Sequence, residues 1–200
     1  MSEEEIRSVL SQKAVGFAGC GGLGSHSAMS LARAGIGTFF LADFDVVQEE
    51  DFSRQCFFRS QEGMLKIHAL RDNILDVNPD AKIYCFDVRL CPSDVYELFQ
   101  TADVVIEAVD VAKTKLTIIE ALQKHAPEKP VVSGVGMAGW GNTEALKVNQ
   151  MNTLYLCGDL ISKVSDDMPL TAARVGIVAN MQANVAIELM LKENGYGSLH

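Results

Sequence analysis

Chemistry is suggested first by an ordered series of residues. The glycine run Gly19-Cys20-Gly21-Gly22-Leu23-Gly24 is followed by Asp43, then Arg54-Gln55, then Lys66, and finally Asp110. Gly19, Gly21 and Gly24 have the G-x-G-x-x-G spacing, in which missing side chains permit a tight turn and let phosphates approach backbone amides at a helix N-terminus. Asp43 closes an apolar stretch, a position from which a carboxylate accepts hydrogen bonds from ribose hydroxyls. To this point an NAD-binding oxidoreductase fits equally well. Arg54 and Lys66 break that tie, because releasing pyrophosphate from ATP needs positive charge along the triphosphate and a hydride carrier has no use for it; the alternative, two solvated surface cations, stays open. Asp110, after the apolar run Val104-Val105-Ile106, is placed to share a Mg²⁺ with the phosphates or to cap the helix that follows. No G-x-x-x-x-G-K-[ST] sequence occurs, so a P-loop is excluded. The series points to adenylation.

The elements that must position these residues read as alternating strands and helices. Ala14 to Ala18 is a short apolar run entering the glycine turn, and Ser25 to Ala34 behind it is a helix ending at Gly35. Thr38 to Ala42 is the next strand and delivers Asp43 at its end. Asp45 to Gln61 is polar and irregular; Ile67, Leu70 and Ile74 then mark a helix with Lys66 in its first turn, stopping near Asn78-Pro79. Ile83 to Phe86, Val104 to Ala108 and Val131 to Val135 read as strands, separated by helices over Pro92 to Phe99 and Ala112 to His125. Gly136, Gly139 and Gly141 form a loop before two short runs, Glu144 to Val148 and Leu154 to Cys157, that read as an antiparallel hairpin. A polar turn over Asp166 to Leu170 leads into a long helix over Ala173 to Leu191, and the tail from Glu193 is expected to fray. The expected fold is α/β, a Rossmann-like doubly wound and mainly parallel sheet with an antiparallel edge hairpin, in one domain over residues 1–200.

Composition narrows the partners. With 48% hydrophobic and 22% charged residues the chain has the balance of a globular protein. A net charge of -9 without a basic stripe argues against nucleic acid. Five cysteines without a Cys-x-x-Cys pair fit reduced thiols and give no reason to expect structural zinc. The acidic Met-Ser-Glu-Glu-Glu start is unlike a signal peptide, and no apolar run approaches the roughly 20 residues of a membrane span, so a cytoplasmic protein is expected.

Taken together, these residues resemble the ThiF/MoeB family, the adenylyltransferases of sulfur carrier proteins related to ubiquitin-activating enzymes. The resemblance is carried by Gly19-Cys20-Gly21-Gly22-Leu23-Gly24-Ser25, Asp43-Phe44-Asp45-Val46-Val47, Phe52-Ser53-Arg54-Gln55, Gly63-Met64-Leu65-Lys66 and Asp110, and runs from about Val15 to the C-terminal helix. It implies that the loop amides at Gly19, Gly21, Gly22 and Gly24 bind ATP together with Asp43, Asp45, Arg54, Gln55 and Lys66. Asp43 would contact the ribose, Arg54 and Lys66 the phosphates, and Asp110 the Mg²⁺. The implied reaction is attack by the C-terminal glycine carboxylate of a small ubiquitin-like carrier, ending in Gly-Gly, on the α-phosphate of ATP, and the implied assembly is a homodimer. Asp51 stands where the family usually has Asn, and the family's paired Cys-x-x-Cys zinc motifs and cysteine-bearing crossover are missing. The chain therefore resembles the short, zinc-free branch related to thiamine biosynthesis. Arg7 is the only arginine before the glycine loop, where relatives contribute one to the partner subunit.

Other polar residues carry weaker signals. Cys157, in Tyr155-Leu156-Cys157-Gly158-Asp159, is the candidate for accepting sulfur or forming a thioester, with a buried structural thiol as the commoner outcome. Cys20 and Cys56 read as packing residues, and His26 and His68 as surface or packing residues. Trp140, between glycines, reads equally as an anchor for a carrier tail or as a lid on the core. Two other readings stay open: an NAD-binding oxidoreductase, and a noncatalytic adaptor that keeps the fold and binds a carrier.

Overall fold

The computed structural model describes residues 1–196; the expected fraying of the tail falls in part on residues 197–200, outside the described residues. Short runs rich in valine, isoleucine and phenylalanine form β1 (Ala14–Ala18), β2 (Thr38–Asp43), β3 (Lys82–Asp87), β4 (Val104–Glu107) and β5 (Val131–Gly134), followed by β6 (Lys147–Met151) and β7 (Leu154–Gly158). They make one seven-stranded sheet of order β3-β2-β1-β4-β5-β7-β6. All neighbours are parallel except β6, which runs antiparallel to β7 at the edge. The expected mainly parallel, doubly wound sheet with an edge hairpin is therefore what the chain adopts.

Among the described residues, six α-helices flank the sheet: α1 (Glu3–Leu10), α2 (Gly22–Ala34), α3 (Lys66–Val77), α4 (Pro92–Phe99), α5 (Ala112–His125) and α6 (Ala172–Glu193). Side chains alternate along a strand, so Phe17 and Ile106 turn into the core beneath α2, α3 and α6, while Ala18 and Val105 meet Phe99 of α4 and Ile118 of α5 on the other face. The long α6 lies along α2 and crosses β4, β5 and β7, bracing the centre of the sheet.

Three differences from the sequence reading have local causes. α1 was not expected, yet Ser2 and Glu5 form a reciprocal cap in which Glu5 N donates to Ser2 Oγ (3.1 Å) and Ser2 N to Glu5 Oε2 (2.7 Å). α2 begins at Gly22, three residues before Ser25, because the glycine turn itself enters the helix. The first limb of the hairpin lies at Lys147–Met151, displaced from Glu144 to Val148, since residues 143–145 form a 3₁₀ turn and Asn152 (φ 53°) sets the reversal. β6 is exposed at every position, so no alternation in its sequence marked its register.

Candidate functional site

The strand order reverses between β1 and β4, and open α/β sheets bind ligands beyond the strand ends at such a point. Gly19 leaves β1 with φ +98°, and a Cβ there would lie 2.9 Å from the Ala108 carbonyl oxygen. A Cβ on Gly24 would lie 2.1 Å from the Gly19 carbonyl oxygen, so this helix can follow the turn so closely only with glycine at that position. Gly22 faces Val175 and Gly21 faces the Gln55 side chain. No side chain caps the N-terminus of α2, which leaves its leading amides without a side-chain acceptor and suited to an anion.

Asp43 closes β2 with both carboxylate oxygens engaged. Cys20 N donates to Oδ2 (2.6 Å) and Asp45 N to Oδ1 (2.8 Å), so the aspartate ties the glycine turn to the following loop. Burial pushes its carboxyl above the ordinary value, outweighing these two amides and nearby Lys66.

The segment after Asp45 is compact despite its polar sequence, with 3₁₀ turns at Glu49–Ser53 and Arg59–Gln61. Lys66 opens α3 but is only 6% exposed; its ammonium lies 3.3 Å from Asp45 Oδ2 and 3.5 Å from Asp51 Oδ2. Asp51, 5% exposed, also accepts from Gln48 N (3.0 Å) and from Gln55 Nε2 (2.6 Å). The acid that stood out in the sequence is thus answered by Lys66. Arg54 donates to the Glu50 carbonyl (3.1 Å) and to Ser53 Oγ (3.2 Å), and faces no carboxylate within ion-pair distance among the described residues. Its cation is free to meet an anion.

Asp110 is exposed and caps nothing: the residue flanking α5 is Val111, with no side-chain cap. Of the two roles open in the sequence, the helix cap is not the one adopted. Its loop is held instead by Glu107, which is fully buried at the end of β4. Glu107 Oε1 accepts from Val109 N (2.9 Å), while Oε2 accepts from Ser133 Oγ (2.6 Å) and pairs with Lys115 of α5. Gln182 of α6 donates to the carbonyls of Glu107 and Val132. The one local signal for these supports in the sequence is a glutamate inside an apolar strand with a lysine in the first turn of the next helix.

Farther along the same edge, beyond β5 and β7, an open cavity of about 440 Å³ is lined by Gly139, Trp140, Asp159, Ile161, Met168 and Arg174, among others. Trp140 is 70% and Ile161 80% exposed, so Trp140 is no core lid. The floor is an ion pair: Arg174 Nη2 lies 2.8 Å from Asp159 Oδ2, and Arg174 also donates to the Gly141 carbonyl. Burial pushes the Asp159 carboxyl up, but the amides of Ser162 and Ile161, the Ser162 hydroxyl and Arg174 together outweigh it and hold the group below its ordinary value.

The five cysteines are free thiols: Cys20 and Cys157 are buried, Cys56 and Cys85 half-buried and Cys91 exposed. Cys157 is fully buried in β7, and burial pushes its thiol to about 12, which keeps it a neutral core group as placed. Cys20 is likewise buried. Cys56 Sγ lies 3.2 Å from His26 Nδ1, and burial pushes the thiol up and the imidazole down, so the contact is between neutral groups.

With the geometry established, similarity to other proteins becomes informative. The sequence matches the ThiF family over residues 2–199. The chain belongs to the ThiF family. It is 32% identical over 140 residues to the adenylyltransferase and sulfurtransferase UBA4 of Candida glabrata, an alignment spanning 70% of this chain and 32% of that protein. It is 35% identical over 104 residues to the probable adenylyltransferase/sulfurtransferase MoeZ of Mycobacterium tuberculosis, spanning 52% of this chain and 26% of that one. The chain thus spans about a third of these relatives or less. In fold it is similar to the tRNA N6-threonylcarbamoyladenosine dehydratase TcdA of E. coli, solved with AMP and with ATP. The AMP complex has a TM-score of 0.87 at 18% identity, covering 96% of this chain and 91% of that one. At that identity the likeness establishes this member's ThiF-type fold alone.

Proposed function

We propose that the protein uses ATP to adenylylate the C-terminal glycine carboxylate of a small ubiquitin-like sulfur carrier protein, releasing pyrophosphate. The observation that supports this reading is the uncapped glycine turn at the β1–β4 reversal, tied to Asp43 through Cys20 N and bordered by the Arg54 carbonyl and the Gln55 side chain. Membership of the ThiF family and relatives named as adenylyltransferases support it.

In this reading the α2 amides and Arg54 hold the phosphates, Asp43 and Asp45 face the ribose, Gln55 borders the turn, and Lys66 stabilises charge developing on the leaving pyrophosphate. Asp43 must accept ribose hydroxyls on lone pairs left over from its two amide bonds. The carrier carboxylate is already a nucleophile, so the site's task is orientation and charge neutralisation, with no general base. A Mg²⁺ would supply further neutralisation. The residues fit one bound through phosphates: Asp110 is an exposed carboxylate one residue beyond Val109, whose backbone borders the glycine turn, and among the described residues no group of three or more acidic, histidine or cysteine side chains is poised to hold a metal alone. Trp140 and the open cavity would receive the carrier's tail, and thiamine biosynthesis is the pathway we favour. We further propose a homodimer and a cytoplasmic location; no helix among the described residues is long and apolar enough to cross a membrane. Cys157 would act in sulfur transfer only after moving out of the core.

A second reading keeps the nucleotide site and changes the acceptor to a modified tRNA, as in the name of TcdA. The net charge of -9 favours a protein acceptor over a polyanion. Incubation with ATP and a Gly-Gly-terminated carrier, followed by mass spectrometry, should show carrier-AMP formation, and loss of that product in Arg54→Ala and Asp110→Ala. Full activity in both variants would refute the site assignment, and turnover with tRNA alone would favour the second reading.

A further inference from the structure

Lys66 meets two carboxylates of different character. Asp45 has half of its side chain exposed and can swing toward solvent. Asp51 cannot: it is buried, and two hydrogen bonds, from Gln48 N and Gln55 Nε2, fix its oxygens. A polyphosphate approaching Lys66 can displace Asp45 but must share the ammonium with Asp51. A phosphate that Lys66 attracts is repelled by Asp51, whose carboxylate oxygen lies 3.5 Å from the ammonium, and burial of both side chains keeps that repulsion poorly screened.

We propose that Asp51 is a specificity-determining residue that grades nucleotide affinity by phosphate charge, weakening the hold on ATP and pyrophosphate more than on AMP. The inference rests on the nucleotide reading of the site and adds what that reading does not contain, a fixed negative charge set against the ligand. Its consequence is an opposed site that releases pyrophosphate readily, where a purely cationic cradle would retain it.

Asp51→Asn removes the charge and keeps the shape. The fold has a ready way to accept it, because Gln55 Oε1 is buried without a partner. Rotation of the Gln55 amide lets that oxygen accept from the new Asn amide while Gln48 N keeps its acceptor. The test is calorimetric titration of the intact protein and the variant with AMP, ADP and ATP in the absence of Mg²⁺, where phosphate charge is fully felt. The expected result is a gain in affinity of roughly tenfold for ATP, less for ADP and about twofold or less for AMP. Asp51→Ser, which removes the charge without introducing an amide, should show the same ranking, and thermal melting identifies any variant that is not folded. An equal gain for all three nucleotides, or none, overturns the inference while leaving the nucleotide site intact. If neither protein binds any of the three, the nucleotide reading itself falls, and this inference with it.

Discussion

The two ends of the edge formed by the carboxyl ends of the parallel strands are stiffened in different ways. At the β1–β2 end the shape is set by backbone: Gly19 and Gly24 pack against carbonyl oxygens, and Asp43 clamps two amides. At the β5–β7 end the loops are long, Trp140 and Ile161 stand in solvent, and one buried ion pair, Arg174 with Asp159, ties residues 139–162 to the start of α6. Under the proposed function this end meets phosphates, and a site made of backbone amides suits them. A partner protein's tail is better met by exposed apolar groups on loops. The comparison teaches that rigidity and exposure have been divided between the two ends.

The largest effect should come from breaking the ion pair. Arg174→Ala leaves the Asp159 carboxylate buried without its cation and should cost about 3–5 kcal/mol in denaturant unfolding. Loss of less than about 1 kcal/mol would mean that the cavity end is not held by this pair. At the other end, Gly24→Ala forces a Cβ against a carbonyl and should cost about 1–3 kcal/mol and abolish ATP binding, since the turn must open to admit it. Retained ATP affinity in that variant would contradict a backbone-built cradle.

A smaller effect separates the ends by pH. Asp159 has a lowered carboxyl, so its ionised form contributes stability that is present above the ordinary value of about 3.9 and is lost as pH falls through the lowered one. Asp43 has a raised carboxyl, so it takes up its proton in the folded state first, and stability gained from it grows as pH falls through that raised value. Denaturation curves of Asp159→Asn and Asp43→Asn against the parent should therefore diverge with opposite sign under acid; parallel curves would sink the distinction. The smallest effect on folding belongs to Trp140→Ala, expected to change stability by no more than about 0.5 kcal/mol. The same variant should weaken carrier binding several-fold in calorimetry, and unchanged carrier affinity would remove Trp140 from the docking surface.

Which features were legible in the sequence follows the same division. Glycine spacing, the strand before it and Asp43 after it are local, so the β1–β2 half could be read directly. The apolar spacing of Ile67, Leu70 and Ile74 is enough to put Lys66 in the first turn of α3, but its pairing with Asp51 depends on 3₁₀ turns whose polar sequence carries no periodicity. The Glu107, Lys115 and Ser133 cluster and the Arg174–Asp159 pair join residues from separate elements, and only the order of strands brings them together. The Ser2–Glu5 cap of α1 was a readable signal obscured by the acidic run around it. β6 lacked any signal, being exposed throughout and positioned by its turn.

The central claim is tested most directly by ATP–pyrophosphate exchange with Mg²⁺, with and without a carrier ending in Gly-Gly. The account predicts exchange that requires the carrier and disappears in Arg54→Ala. Absence of exchange with several competent carriers, or exchange unaffected by Arg54→Ala, would contradict it.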